Sequence, residues 1–592
     1  MKKGFTLVEL LAIIIVLAII SLVSFSTINN MIKTSEINND KQLVKTIVDE
    51  ATVLYNDYVF KDKKDNIINK NIYNLMVTSN KPEQGILYVN GLGQVSIAVI
   101  YNGNCYTKDF NDININHSKY SGECIVKYVD PILNGADPEL DEGMIPVVIA
   151  SDGTLTKADL KKEWYNYTDK KWANIVLVEE SVREEYINAE PGTSINTNNV
   201  LAYYVWVPRY KYEIFTDVNN LEIIGSISDI SKYNNKVQIV NVVFENKYTT
   251  KSNGSKKGTY VTHPAFTFGN EELNGIWVGK FETTGSADKP TVLPNTISLI
   301  NQNVSSQFIT SLKFANNILN SDGSISHLNN TIYGINNTDA HMMKNSEWGA
   351  VAYLTASKYG QGLTEVMINN SSNYITGCAA TIQPTASYGS YILQTDHTEG
   401  YYVGCENEWY TTAGQKASTT GTNYGIYDMS GGAWEYVMGV REDSENSGVP
   451  TSGRNDLYNS GFTGNLTCPT CDTSSGNDSS ITNINNITYP NVKYYDYYDY
   501  GTGTVDMTAY NRGQLGDATY ELDGFSNWID PDGNRRYHSG WNKDYAFFIN
   551  YSLPWFTRGG SWGDGISAGL FAFHHNFGSV NSSRTFRSVL AK

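Results

Sequence analysis

The first 25 residues, MKKGFTLVELLAIIIVLAIISLVSF, constrain this chain more than any other stretch. Two lysines and a glycine precede an apolar run over residues 5–23, about long enough as a helix to cross the hydrocarbon core of a bilayer. Lys2 and Lys3 are then expected to stay on the cytoplasmic side. Glu9 lies inside the run. An ionised carboxylate in a membrane helix costs about 2.5–3.5 kcal/mol on insertion scales, so it needs a partner. A secretory signal peptide carries no acid in its apolar region and is cut after it, so that reading does not fit.

Beyond the apolar run the helical pattern continues. Leu43, Val44, Ile47, Val48, Ala51, Leu54, Tyr55 and Tyr58 recur at steps of three and four, with Asp49, Glu50 and Asp57 off the stripe. The segment GILYVNGLGQVSIAVIYNGNCYTKDF then alternates apolar residues around Asn-Gly turns and predicts strands for the stripe to pack under. After Tyr128 the chain becomes rich in turns. It predicts two short strands around residues 151–153, a short helix and another strand, read here as a spacer.

The amino-terminal segment resembles type IV prepilins at every position that defines their signal. The resemblance implies cleavage by a prepilin peptidase between Gly4 and Phe5 and methylation of the new Phe5 amine. It also implies residence in the cytoplasmic membrane before assembly, and neutralisation of a neighbouring pilin subunit's Phe5 amine by Glu9 in a filament. A bridge from Cys105 to Cys124 would close such a pilin-like head.

A second resemblance covers the large carboxy-terminal region. IWVGKFETT, KNSEWGAVAYL, YGIYDMSGGAWEYVMG, RGGSW and FRSVL are similar, in order, to motifs of the formylglycine-generating-enzyme-like branch of the C-type lectin fold. Two departures limit what carries over. The enzymes of that family use a cysteine pair near the chain end, and no cysteine follows Cys471, so their nucleophilic and metal chemistry is not expected. Gly432 stands where the signature has Asn. Some members hold calcium through that Asn and the following Glu, so Glu435 is either a calcium ligand or a locally paired core residue.

The last 35 residues also resemble the variable regions of proteins targeted by diversity-generating retroelements, which replace template adenines at random. Trp434, Arg558, Gly559, Gly560, Trp562, Phe571, Phe573, Phe586 and Arg587 are expected to form a fixed frame. Gly563, Asp564, Ile566, Ser567, His574, His575, Asn576, Phe577, Gly578, Val580, Ser582, Ser583 and Arg584 are expected to form a variable ligand-binding face. Every face residue type can be reached from an asparagine codon by changing only adenines. Lys, Glu, Gln, Met and Trp cannot, and none of them occurs from Gly563 through Phe586. Only a segment with its core fixed and its face exposed tolerates such change, because exposed substitutions usually alter stability by less than about 0.5 kcal/mol and core truncations by about 2–5.

Other chemistry is sparse. Cys378 and Cys405 are a second candidate pair. Cys468 and Cys471 form CPTC, which lacks a second ligand pair nearby and reads as a local disulfide, free thiols or half a zinc site. The alternating Asp530, Asp532 and Asn534 lack the later acid of a calcium loop. His574 and His575 are adjacent, so their side chains should diverge. Tyr494, Tyr495, Tyr497, Tyr498 and Tyr500 form either an aromatic platform or an insertion lying on its own domain. A net charge of -17 disfavours nucleic acid as a partner.

The expected fold class is α+β multidomain: a leader over 1–4, a pilin helix with a small sheet over 5–128, a spacer over 129–198, and a C-type lectin-like domain over 199–592 with its variable region at 558–592. The expected function is a minor pilin-like surface adhesin for a protein or glycan ligand, without catalytic residues and with calcium as the one cofactor to consider. An extracellular enzyme on the same anchor and a structural secretion or DNA-uptake filament subunit are the alternatives.

Overall fold

In a computed structural model the chain is described over residues 7–214, 240–253, 260–382, 405–441, 460–462, 490–498, 516–519, 526–529, 535–538, 544–549 and 553–592, apart from short interruptions at 62, 64–66, 68–70, 76–81, 83–84, 91–92, 111, 121, 123, 125, 127, 321–323, 329–331 and 363. The side chains of Glu9, residues 17–30, Ile214, Arg441, residues 526–529 and 535–538, and Ile566 are outside this description. The chain divides into two units, Met1–Gly135 and Ala136–Lys592.

The first unit is a 54-residue helix, α1 (Leu7–Phe60), and a four-stranded antiparallel meander: β1 (Gly85–Val89), β2 (Val95–Tyr101), β3 (Asn104–Lys108) and β4 (Asn116–Lys119). Val44, Ile47, Ala51 and Tyr55, one face of α1, are buried with Leu87, Val89, Val95, Ile97, Val99 and Tyr106 of the sheet. Asn102 and Gly103 join β2 to β3 with φ of 49° and 72°, the left-handed pair that a two-residue hairpin needs and that Asn-Gly adopts cheaply. Asp40 is buried in the apolar face of α1. Its carboxylate accepts hydrogen bonds from the Tyr106 hydroxyl at 2.7 Å and the Asn102 amide at 2.9 Å, pinning the helix in register against the hairpin.

The second unit is built on an eight-stranded sheet in which every pair is antiparallel. Its strands are β5 (Ile145–Ile149), β6 (Leu155–Lys157), β7 (Asn174–Val178), β8 (Ser194–Ile195), β9 (Val200–Pro208), β10 (Gly275–Gly279), β11 (Asp339–Met342) and, from the end of the chain, β17 (Ser588–Ala591). They lie in the order β11-β17-β10-β9-β7-β5-β6-β8. β7 and β9 are buried along their whole length, which explains why their sequences run apolar rather than alternating. A five-stranded sheet joins β12 (Trp434–Arg441) to β13 (Asp496–Tyr498), β14 (Trp555–Arg558) and β16 (Arg584–Phe586), with β15 (Phe573–Asn576) beyond β14. β16 runs parallel to β12, and one residue later β17 pairs with β10 and β11, so the chain passes from one sheet to the other at Arg587. Among the remaining helices, α2 (Glu180–Asn188), α3 (Val304–Leu312) and α4 (Asn345–Thr355), only α4 is buried throughout.

This architecture overturns the expected fold class. Apart from α1, strands are the main regular elements of the described chain, and the combination of a pilin helix with a C-type lectin-like domain is not what it shows. Residues 129–198 also form no spacer, since they contribute β5–β8 to the main sheet. The strands expected on either side of residues 151–153 and after them form at IPVVI, LTK and NIVLV, but they pair within the main sheet. Among the described residues no helix is long and apolar enough to cross a membrane. Much of the apolar run expected to do so falls at residues 5–6, Glu9 and 17–23, outside the described side chains.

Candidate functional site

The carboxy-terminal segment turns sharply after β14. Gly559 and Gly560 have φ of 85° and 76°, and a Cβ on Gly560 would lie 2.5 Å from the Ala568 Cα. This double turn brings the Trp562 N–H to the Gly432 carbonyl at 2.9 Å, while the Trp348 indole N–H reaches the Leu570 carbonyl at 2.8 Å. Trp434, Arg558, Gly559, Gly560, Phe571, Phe573, Phe586 and Arg587 are buried, and Trp562 is half-buried.

The residues between them have another character. Gly563, Asp564, Ser567, His574, His575, Asn576, Ser583 and Arg584 are partly exposed, and Phe577, Val580 and Ser582 are exposed. Ile566 is outside the described side chains. Asp564 accepts from the Ser561 N–H and hydroxyl, both at 2.7 Å, and Asn576 accepts from the Tyr436 hydroxyl at 2.7 Å and the Phe577 N–H at 2.8 Å. These partly exposed residues are therefore held by local turns next to the buried ones.

Gly578 departs from its neighbours. It is buried at φ 78°, and a Cβ there would lie 2.5 Å from Trp555 Cδ1, so it belongs with the frame. Gly578→Ala is expected to destabilise the protein by about 1–3 kcal/mol, combining left-handed strain with a clash. The same substitution at Gly563 should change the denaturation midpoint far less, and comparing the two midpoints checks the assignment.

His574 and His575 do not diverge as expected. Their ring centroids are 4.6 Å apart, and both rings contact Phe547. His574 also meets Trp434 and Tyr545. Each Nδ1 lies beside a backbone carbonyl, of His575 at 2.6 Å and of Phe548 at 3.0 Å, which assigns the ring proton to Nδ1 in the neutral form. Burial lowers both pKa values, that of His574 to about 4, so both rings are neutral at pH 7. Tyr545 and Phe547, half-buried beside them, were missed in the sequence. Their only signal was the alternation in DYAFF.

Glu435 is fully buried, and both of its oxygens accept from Arg587, at 2.5 Å from Nη2 and 3.1 Å from Nε. Arg587 also donates to the carbonyls of Gly279 and Tyr427, tying both sheets to one guanidinium. Glu282 and Asp428 complete a group of three buried carboxylates. Asp428 accepts from the Asn369 amide at 2.8 Å and the Gly377 N–H at 2.9 Å, and Glu282 accepts from the Ala433 N–H at 3.1 Å. Gly432 has φ 72°, and a Cβ on it would lie 2.8 Å from Glu282 Oε1, which explains glycine at this position. Among the described residues no group of three or more His, Cys, Asp or Glu is arranged to hold a metal ion.

The Ser298 hydroxyl contacts both Glu282 Oε2 and the Tyr374 carbonyl. It has one proton to give, so bonding both requires a proton on Glu282. Burial, then the neighbouring Asp428 and Glu435, push the Glu282 pKa well up. Burial raises Glu435 to about 7 against the Arg587 charge. A carboxyl raised in the folded state contributes stability fully below its unfolded pKa of about 4.5 and loses it as pH rises through the folded value. Glu282→Gln mimics the protonated acid and keeps both hydrogen bonds. It is expected to flatten the fall in denaturation midpoint between pH 5 and 8 and to leave the midpoint at pH 5 nearly unchanged.

Among the described residues two disulfides are present, Cys105–Cys124 and Cys378–Cys405. Tyr494 and Tyr498 are buried in the core and Tyr495 and Tyr497 are half-buried, so this segment lies on its own unit rather than forming an open platform. Gly4, Phe5, Tyr500, Cys468 and Cys471, with Asp530, Asp532 and Asn534, lie outside the described residues. No protein-family model and no curated protein matches the chain.

Proposed function

We propose that this chain is a minor subunit of a type IV pilus-like filament on a bacterial surface, and that its second unit presents an adaptable ligand-binding face. The reading is carried by the division of residues 558–592 into buried anchors and partly exposed connections, the arrangement that lets a surface vary while its scaffold persists. Two features support the filament half: the prepilin-like start, and the exposure of Leu7, Val8, Leu10 and Leu11 at the front of α1, an apolar surface of the kind that neighbouring subunits cover. Prepilin peptidase and other pilin subunits are the implied partners, with the cytoplasmic membrane as the site before assembly. Template-directed diversification of the face belongs to the same proposal.

The function is tested in the native bacterium with Phe577→Ser and Val580→Ser combined. Both side chains are exposed, so the filament should still form while adhesion falls. Unchanged adhesion in cells with normal filaments would count against the face. Sequencing the locus in sister cells tests diversification. Changes confined to the face positions, beside a near-copy template and a reverse-transcriptase gene, are expected; identical copies with no template contradict it.

A further inference from the structure

We propose that Arg584 forms an anion subsite in this face and that the ligand is a saccharide carrying a carboxylate. The inference rests on the reading of 558–592 as a ligand-binding face. Arg584 is drawn into the protein at the start of β16, opposite Trp434 of β12, with its guanidinium carbon 5.7 Å from the centre of the Trp434 ring. Nη1 donates to the Ser583 hydroxyl at 2.8 Å and to the Ser583 carbonyl at 3.3 Å. Nε is buried and has no hydrogen-bond partner. No carboxylate forms an ion pair with Arg584 among the described residues. Asp564 acts on it through its charge without forming an ion pair, and one Asp564 oxygen is engaged by Ser561.

A largely enclosed guanidinium without a counter-ion is costly, because its desolvation is not offset by an opposite charge. Arg587 is paired with Glu435, and Arg209 with Glu245 and Glu272, whereas Arg558 is buried with no carboxylate ion pair among the described residues, and Arg183 is buried as well. Among the arginines whose side chains are described, Arg584 alone is partly exposed, and it stands within the proposed face without such a pair. A partly exposed guanidinium suits a carboxylate, which takes charge-assisted hydrogen bonds from it.

The surroundings favour a sugar. Tyr545, Phe547 and His574 present half-buried rings that can lie against the apolar side of a pyranose, while Ser582, Ser583 and Asn576 offer groups for hydroxyls. The net charge of -17 repels long polyanions, so the subsite fits one acidic residue within an otherwise neutral oligosaccharide.

The test compares cellobiouronic acid with cellobiose, which has a hydroxymethyl group in place of the carboxylate, using titration calorimetry on the full chain in detergent. At least about tenfold tighter binding of the acid is expected, about 1.4 kcal/mol. Arg584→Gln should remove that preference, and Arg584→Lys should retain part of it, with melting temperatures near that of the parent. Equal or absent binding of the two sugars, or a preference that survives Arg584→Gln, overturns the subsite. Equally tight binding of a glutamate-terminated dipeptide overturns the saccharide class. The adhesion result with Phe577 and Val580 replaced is independent of these outcomes, so a failed subsite and a failed face are told apart.

Discussion

Arg587→Met should destabilise the second unit by about 3–5 kcal/mol at pH 7, the usual cost of removing one partner of a buried ion pair. Glu435 would lose both of its hydrogen bonds, and the carbonyls of Gly279 and Tyr427 would lose theirs. Glu282 and Asp428 would face a third carboxylate with no cation to offset it. The loss should be larger at pH 8 than at pH 5, where protons can replace the guanidinium charge. Denaturant midpoints of parent and variant at both pH values measure this. A deficit of the same size at both would show that Arg587 acts through packing alone. The expected cost exceeds that of most single substitutions because one side chain holds the residue at which the chain passes between two sheets.

Glu9→Leu is the second change with a large expected effect, and it acts on assembly rather than folding. It makes the apolar run more hydrophobic, so on the proposed filament role membrane retention and cleavage after Gly4 should persist. The charged amine of Phe5 would then enter a helical bundle with no carboxylate to meet it, at a cost of several kcal/mol per subunit. Immunoblots of sheared filaments and of membranes separate the two effects. The variant is expected to be nearly absent from filaments and abundant in membranes, while normal incorporation would remove the role assigned to Glu9.

How much of this was legible depended on how local the signal was. The stripe through Val44, Ile47, Ala51 and Tyr55 and the Asn102-Gly103 turn are short-range patterns, and each forms where its spacing places it. Asp40 breaks the pattern of its own helix, and its purpose appears only when Tyr106, far along the chain, arrives beside it. Residues 129–198 read as a spacer with short strands among its turns. Their burial depends on β9, whose pairing with β7 no local pattern reports.

The carboxy-terminal face divides in the same way. Large apolar residues and paired glycines identified its frame. Gly578 was placed with the face because glycine carries no side chain from which to read burial, and the nearby Trp555 decides the matter. The two histidines converge because the ring of Phe547 meets both, a contact between segments that adjacency along a strand does not predict. In the sequence Glu435 reads as either a calcium ligand or a paired core residue, and in the structure Arg587 takes both of its oxygens.

The central claim is that residues 558–592 are a fixed frame holding an adaptable face. Its most direct test is a saturation scan of that segment on the bacterial surface, reading the fraction of each variant that remains folded with a conformation-specific antibody raised against the second unit. Tolerance is expected at Asp564, Ser567, Asn576, Phe577, Val580, Ser582 and Ser583, with folded fractions close to the parent's. Intolerance is expected at Arg558, Gly560, Phe573, Gly578, Phe586 and Arg587. A scan in which the two sets tolerate change equally, or in which Phe577 and Val580 prove as intolerant as Phe573 and Phe586, would contradict the division on which the proposed function rests.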